Sequence, residues 1–196
     1  MLNTSIATPT HWKIMLNPEK HISIDELRKI SLSSINAVLT NSFCDSLETG
    51  LPKRKIQENL ISIWSITDSE TARYIIEWLL TDGQDVLYEH IKSLIDEDDL
   101  SKAKEELKKL SRNSEYIRKY EKYIENIFLF KKHYPQVDFT EKDFQRGIKA
   151  WDISRAVFIA RMCLDIKYIN TRQFEDYLQL GTLEARNRYN SWKEYA

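Results

Sequence analysis

The chain has 196 residues, 42% of them hydrophobic and 11% aromatic, enough to build one domain around a sizeable core. Its 29 basic and 30 acidic side chains leave a formal net charge of −1, so neither a nucleic acid nor an anionic membrane is expected as partner, since both select for excess Lys and Arg. Two cysteines, Cys44 and Cys163, are too few for a disulfide scaffold, no apolar run reaches the roughly 20 residues of a membrane span, and the first 20 residues lack the basic-then-apolar order of a signal peptide; a cytoplasmic protein with free thiols is expected.

Glycine and proline number only four each, and scarce turn residues favour helices over strands. Residues 1–22, with Pro9, His11, Trp12 and Pro18, show no periodicity and read as an irregular arm. Residues 23–196 read as a single helical domain. Ser23 and Glu26 form a capping box for a first helix that carries Leu27, Ile30, Ile35, Val38 and Leu39 toward Phe43. Gly50 breaks the chain and Pro52 opens a helix with Ile56, Leu60, Ile63 and Trp64 at spacings of three and four.

Thr67 or Asp68 caps the next helix, whose stripe is Ala72, Ile75, Ile76, Leu79 and Leu80, with Trp78 on its flank and Gly83 at its end. Asp82-Gly83 is a hairpin signal in other settings, but helical periodicity continues on both sides of it. A short helix follows from about Gln84 to Ile95. Near 98–111 the chain is dense in Lys and Glu, with a narrow stripe of Leu100, Ala103, Leu107 and Leu110; this predicts a charged surface helix, with a disordered linker as the alternative. Asn113 to Lys132 reads as a long helix with Tyr116, Tyr120, Tyr123, Ile127 and Phe130 along one side, ended by Pro135. A short helix within Thr140–Gly147, two long ones near Trp151–Lys167 and Thr171–Arg188, and a final turn capped by Ser191 complete an all-α chain of at least seven helices without a significant sheet.

Familiar catalytic patterns are missing from this sequence. His11, His21, His90 and His133 show no i, i+4 pairing, and there is no zinc helix, C-x-x-C, nucleophile elbow or glycine-rich phosphate loop. Cys163 between Met162 and Leu164 reads as buried and inert. No cofactor and no metal are expected, and catalytic residues stay unknown.

The most informative segment opens at Trp151. It starts a helix that is apolar nearly all round, and such helices are usually central. At about 100° per residue, Ser154, Arg161 and Asp165 share one side, where Arg161 and Asp165 stand at i, i+4. Asp152 and Arg155 fall on the opposite side among Ala156, Ile159, Cys163 and Ile166. Charges there need partners, because an unpaired buried charge is costly. Either Asp152 is an N-cap and Arg155 pairs elsewhere, or both line a pocket. Trp64, Trp78 and Trp151 are expected largely inside and Trp12 outside.

The W-D-x-x-R-A opening at Trp151, with Arg161, Tyr168-Ile169 and the closing Ser191-Trp192-Lys193-Glu194-Tyr195, resembles the C-terminal signature of the bacterial YbeU/YbeR-like domain-of-unknown-function family. A second block is similar: Trp64-Ser65-Ile66, Asp68, Ala72, Trp78-Leu79-Leu80 and Gly83-Gln84, although relatives tend to have His in place of Gln84. The resemblance implies a bacterial helical domain and supplies no reaction. It groups Trp151, Asp152, Arg155, Arg161, Trp192 and Glu194 as a candidate polar cluster, with Glu194 as a candidate partner for Arg155. The functional expectation is a non-enzymatic protein-binding module, such as an immunity protein that neutralises a toxin. The alternatives are an enzyme or small-ligand binder with a pocket around Trp151, Asp152, Arg155 and Trp192, and a secreted toxin or effector.

Overall fold

A computed structural model describes residues 13–19, 22–95, 99–110, 114–133 and 141–195. Among them the regular structure is helical, as the sequence predicts: α1 Ile24–Ile30, a 3₁₀ turn Ser31–Ser33, α2 Ser34–Thr40, α3 Lys53–Trp64, α4 Ser69–Thr81, α5 Asp85–Ile95, α6 Leu100–Leu110, α7 Ser114–His133, α8 Glu141–Gln145, α9 Lys149–Asp165, α10 Thr171–Arg188 and α11 Trp192–Tyr195. The β-type pairing described is a single bridge between Met15 and Phe43. The chain gathers into two compact units, one of residues 1–81 with 150–196, the other of residues 82–149.

In the first unit, local chemistry sets most boundaries. The Ser23–Glu26 capping box forms as predicted. The expected continuous helix to Phe43 does not. The Ser31 and Ser33 hydroxyls donate back to the Leu27 and Ile30 carbonyls, each at 2.7 Å, and the backbone tightens into the 3₁₀ turn. That change of pitch rotates the second half. Ile30, Leu32 and Ala37 are buried, whereas Leu27, Ile35 and Leu39 of the predicted stripe are exposed. Asn41 ends α2 in the left-handed conformation that Asn tolerates.

Asp68 caps α4, its carboxylate accepting from the Glu70 and Thr71 N–H groups. Asn170 and Gln173 form a second capping box at α10, and Ser191 caps α11 by accepting from the Glu194 N–H. The core joins Ile56 and Leu60 of α3, Ala72, Ile76 and Leu79 of α4, and Phe174 and Leu178 of α10 around α9. Each such large aliphatic or aromatic side chain contributes about 1.5–3 kcal/mol on burial. Residues 152–163 of α9 are buried on every side, so the helix is central as its all-round apolarity predicts. Gly181 lets α10 approach closely: a Cβ there would stand 3.3 Å from Val157.

Trp12 lies outside the described residues, but part of the N-terminal arm is described. Residues 13–19 are irregular but anchored. The Met15 carbonyl accepts from the Cys44 N–H at 2.8 Å, and buried Asn17 bonds Asp45 and Ser46.

In the second unit, Tyr88, Ile91 and Leu94 of α5 pack with Ala103 and Leu107 of α6 and Tyr120 and Ile124 of α7. The charged segment is a helix, not a linker. Asp99 caps α6, and Lys104 and Lys108 pair with Glu125 and Glu121 of α7. Along α7, Tyr120 is buried and Tyr123, Ile127 and Phe130 are half-buried; the side chain of Tyr116 and Pro135 lie outside the described residues. The chain returns to α5 through the Tyr88 hydroxyl, which donates to the Phe144 carbonyl at 2.7 Å, and the Ile148 N–H, which donates to Asp85 at 2.9 Å. Gly147 makes that turn at φ +80°, where a Cβ would press to 2.6 Å from the Asp85 carboxylate.

Candidate functional site

Helix α9 presents two polar faces, and they do different things. On one side, Ser154, Arg161 and Asp165 all address residues 33–49. The Asn36 side-chain amide donates to Ser154 Oγ at 2.7 Å. Arg161 is fully buried. Its Nη2 donates to the carbonyls of Phe43, Ser46 and Glu48 at 2.5, 2.7 and 3.0 Å, and its Nη1 to Ser33 Oγ at 3.1 Å. Burial lowers its pKa to about 10, so it stays charged at neutral pH and its charge is distributed over backbone oxygens.

The i, i+4 spacing predicts that Arg161 and Asp165 pair, and they do not. Asp165 accepts instead from the Thr49 N–H at 3.0 Å and the Thr49 hydroxyl at 2.5 Å. Arg161 is drawn off because the loop from Ser42 to Thr49 has buried carbonyls to satisfy, and one guanidinium reaches several at once. Arg161 is therefore a structural hub and not part of an accessible cluster.

Burial is the main influence on Asp165 and raises its pKa, against the Thr49 hydrogen bonds and the Arg161 charge. A carboxyl raised in the folded state contributes most below the ordinary carboxylate range and loses that contribution as pH rises through the raised value. Asp165→Asn, which keeps an acceptor for Thr49, is therefore expected to leave stability at pH 7 equal to or above that of the parent. The difference should shrink toward pH 4. Urea midpoints at the two pH values check this, and a marked loss at pH 7 would show that attraction to Arg161 outweighs the cost of burial.

On the opposite side of α9, Asp152 and Arg155 are both buried and pair with each other. The Arg155 guanidinium lies 5.4 Å from the Trp64 ring centroid and 5.7 Å from that of Trp151, within cation–π range of both. Its Nε is buried without a hydrogen-bond partner among the described residues. Trp151 is 39% exposed, so the expectation that it lies largely inside fails. The buried space on this face is filled by Arg155, and the indole one turn before it covers the guanidinium from outside. Trp64 and Trp78 are half-buried against the core.

The remaining predicted residues stand elsewhere. Glu194 accepts from the Asn190 N–H at 2.7 Å, inside its own turn, and does not pair with Arg155. Trp192 is 52% exposed and packs edge-on against Tyr195, with centroids 5.7 Å apart. Tyr195 in turn meets Tyr189 edge-on at 5.4 Å and donates its hydroxyl to the Leu32 carbonyl. The predicted cluster thus resolves into three places: Trp151, Asp152 and Arg155 together, Arg161 in the loop, and Trp192 with Glu194 at the C-terminal turn. Sequence reasoning missed Trp64 as the second indole over Arg155. It also missed Ser33, Ser46 and Thr49 as partners of α9; their only signal was a scatter of Ser and Thr between helices.

The two cysteines are free thiols, and burial pushes Cys163 up to about 12. Among the described residues no group of three His, Cys, Asp or Glu is placed to hold a metal ion, and no helix is long and apolar enough to cross a membrane. A family model described as "Protein of unknown function (DUF1266)" matches residues 59–196. The chain belongs to this family. The DUF1266 span contains Trp64, all of α9 and α10, and the C-terminal turn, so both faces of α9 and the closing aromatic residues lie within the family's part of the chain. No curated protein and no solved structure matches.

Proposed function

We propose that this chain is a bacterial, cytoplasmic protein-binding module of the YbeU/YbeR-like kind, acting by occlusion and not by catalysis, with neutralisation of a toxin as its concrete role. The observation that carries the reading is the Trp64–Arg155–Trp151 stack. Tryptophan and arginine are the side chains most enriched at binding hot spots. Here the guanidinium is held by buried Asp152 and placed against both rings before any partner arrives. Such preorganisation spares the entropy of ordering long side chains on association. The other charged groups of α9 support the same reading, because Arg161 and Asp165 are occupied in holding a loop.

The test starts with capture of the native chain's partner from the host cell and its identification. Calorimetry with the purified partner should then show Trp151→Ala binding at least about 30-fold more weakly, the effect of losing a hot-spot tryptophan. The urea midpoint should hardly move, because the ring is partly exposed. Unchanged affinity for Trp151→Ala and for Trp64→Ala would remove this face as the binding surface.

A further inference from the structure

A separate feature of the first unit has the makings of a ligand site. Between α1, α10 and the C-terminal turn lies a cavity of about 250 Å³. Its walls include Arg28, Lys29 and Arg186, and its aromatic side is Tyr189, Trp192 and Tyr195. Its lining contains no carboxylate among the described residues; the Asp25 carboxylate, outside that lining, acts by its charge on Lys29, Arg28 and Arg186. Lys29 is engaged with Asp25 at 2.5 Å. Among the described residues the Arg28 and Arg186 side chains make no ion pair or hydrogen bond, although they come from opposite ends of the sequence to the same pocket. Two guanidinium groups with their donors unspent are a fork for an oxyanion.

The aromatic side is built, not incidental. Tyr195 is fixed by its bond to Leu32 and by edge contacts to both neighbours, and the Tyr189 hydroxyl accepts from the Ala150 N–H at 2.8 Å. Trp192, by contrast, leaves half of its surface open beside the cations. Apolar walls with a few convergent polar groups are the ordinary make-up of a small-molecule site, and the volume suits a single ring with one charged substituent.

We propose that this pocket binds a small aromatic anion, one ring bearing a phosphate or a carboxylate, with the oxyanion between Arg28 and Arg186 and the ring against Trp192. The proposal stands on different residues from the Trp151 face and does not depend on it.

The test titrates the full chain with phenyl phosphate and with phenylacetate, following tryptophan fluorescence and heat, with inorganic phosphate, acetate and phenol as controls. At least one aromatic anion should bind saturably and at least tenfold more tightly than both its bare anion and phenol. Arg28→Gln combined with Arg186→Gln should weaken it at least tenfold, as should Trp192→Ala, with circular dichroism unchanged. These side chains are exposed, so the fold should tolerate the changes. If Trp192→Ala perturbs the terminal turn, Trp192→Phe should bind like the parent. The assignment is overturned by no saturable binding of either aromatic anion, by a bare anion binding as well as its aromatic counterpart, or by variants that bind undiminished. An unchanged Trp151→Ala variant in this assay separates the pocket from the protein-binding face.

Discussion

Replacing Arg161 with alanine is expected to destabilise the protein by about 4 kcal/mol, one of the largest losses available at a single position, because each buried acceptor left without a donor costs roughly 1–3 kcal/mol and these costs do not simply add. The guanidinium is fully buried and serves the Phe43, Ser46 and Glu48 carbonyls and the Ser33 hydroxyl together. Removing it leaves a cavity besides. Arg161→Lys should recover less than half of the loss, since one ammonium cannot reproduce a planar fork that reaches several oxygens. Urea melts check both variants, and limited proteolysis should find new cleavage between Phe43 and Gly50, the segment that loses its anchor. A loss below about 1 kcal/mol for Arg161→Ala would show that the loop is held by something else.

The second large effect concerns the buried pair. Asp152→Ala should cost about 3 kcal/mol, because it strands a buried guanidinium, which is more than the roughly 1 kcal/mol expected of a simple helix cap. Arg155→Met alone should also destabilise. The double replacement should lose clearly less than the sum of the two, since apolar groups of similar volume tolerate the same space. A double-mutant cycle from urea melts reads the coupling directly. Strict additivity would mean that the two side chains act independently despite their contact.

Much of this was legible in the sequence, and for identifiable reasons. The helices with strong three-and-four spacing and a local start signal were readable closely: the Ser23–Glu26 box before α1, Thr67 or Asp68 before α4, where Asp68 is the cap, and Ser191 before the last turn, whereas the Asn170 cap of α10 was not read. The central place of α9 followed from apolar residues on all its faces, and so did the burial of Asp152 and Arg155. Failures came where side chains chose partners across the fold. Ser31 and Ser33 diverted the backbone into a tighter turn that periodicity alone cannot foresee. Arg161 left its i+4 carboxylate for carbonyls more than 100 residues away, and Asp165 turned to Thr49. Trp151 was expected in the core because it flanks an apolar stripe, but the space beneath it was already taken by the stem and guanidinium of Arg155. Arg28 and Arg186 carry no common sequence signal, because only the packing of α1 against α10 brings them to one pocket.

The indole–guanidinium stack is proposed as the surface that meets a partner protein. The most direct measurement places a photo-activatable phenylalanine analogue at position 151 in the native host, with a control at Glu70, an exposed position on α4. Irradiation should give one discrete high-mass adduct from position 151 that is missing from the control, and mass spectrometry should identify a single partner protein. No adduct at 151, or the same adducts from both positions, would contradict the claim.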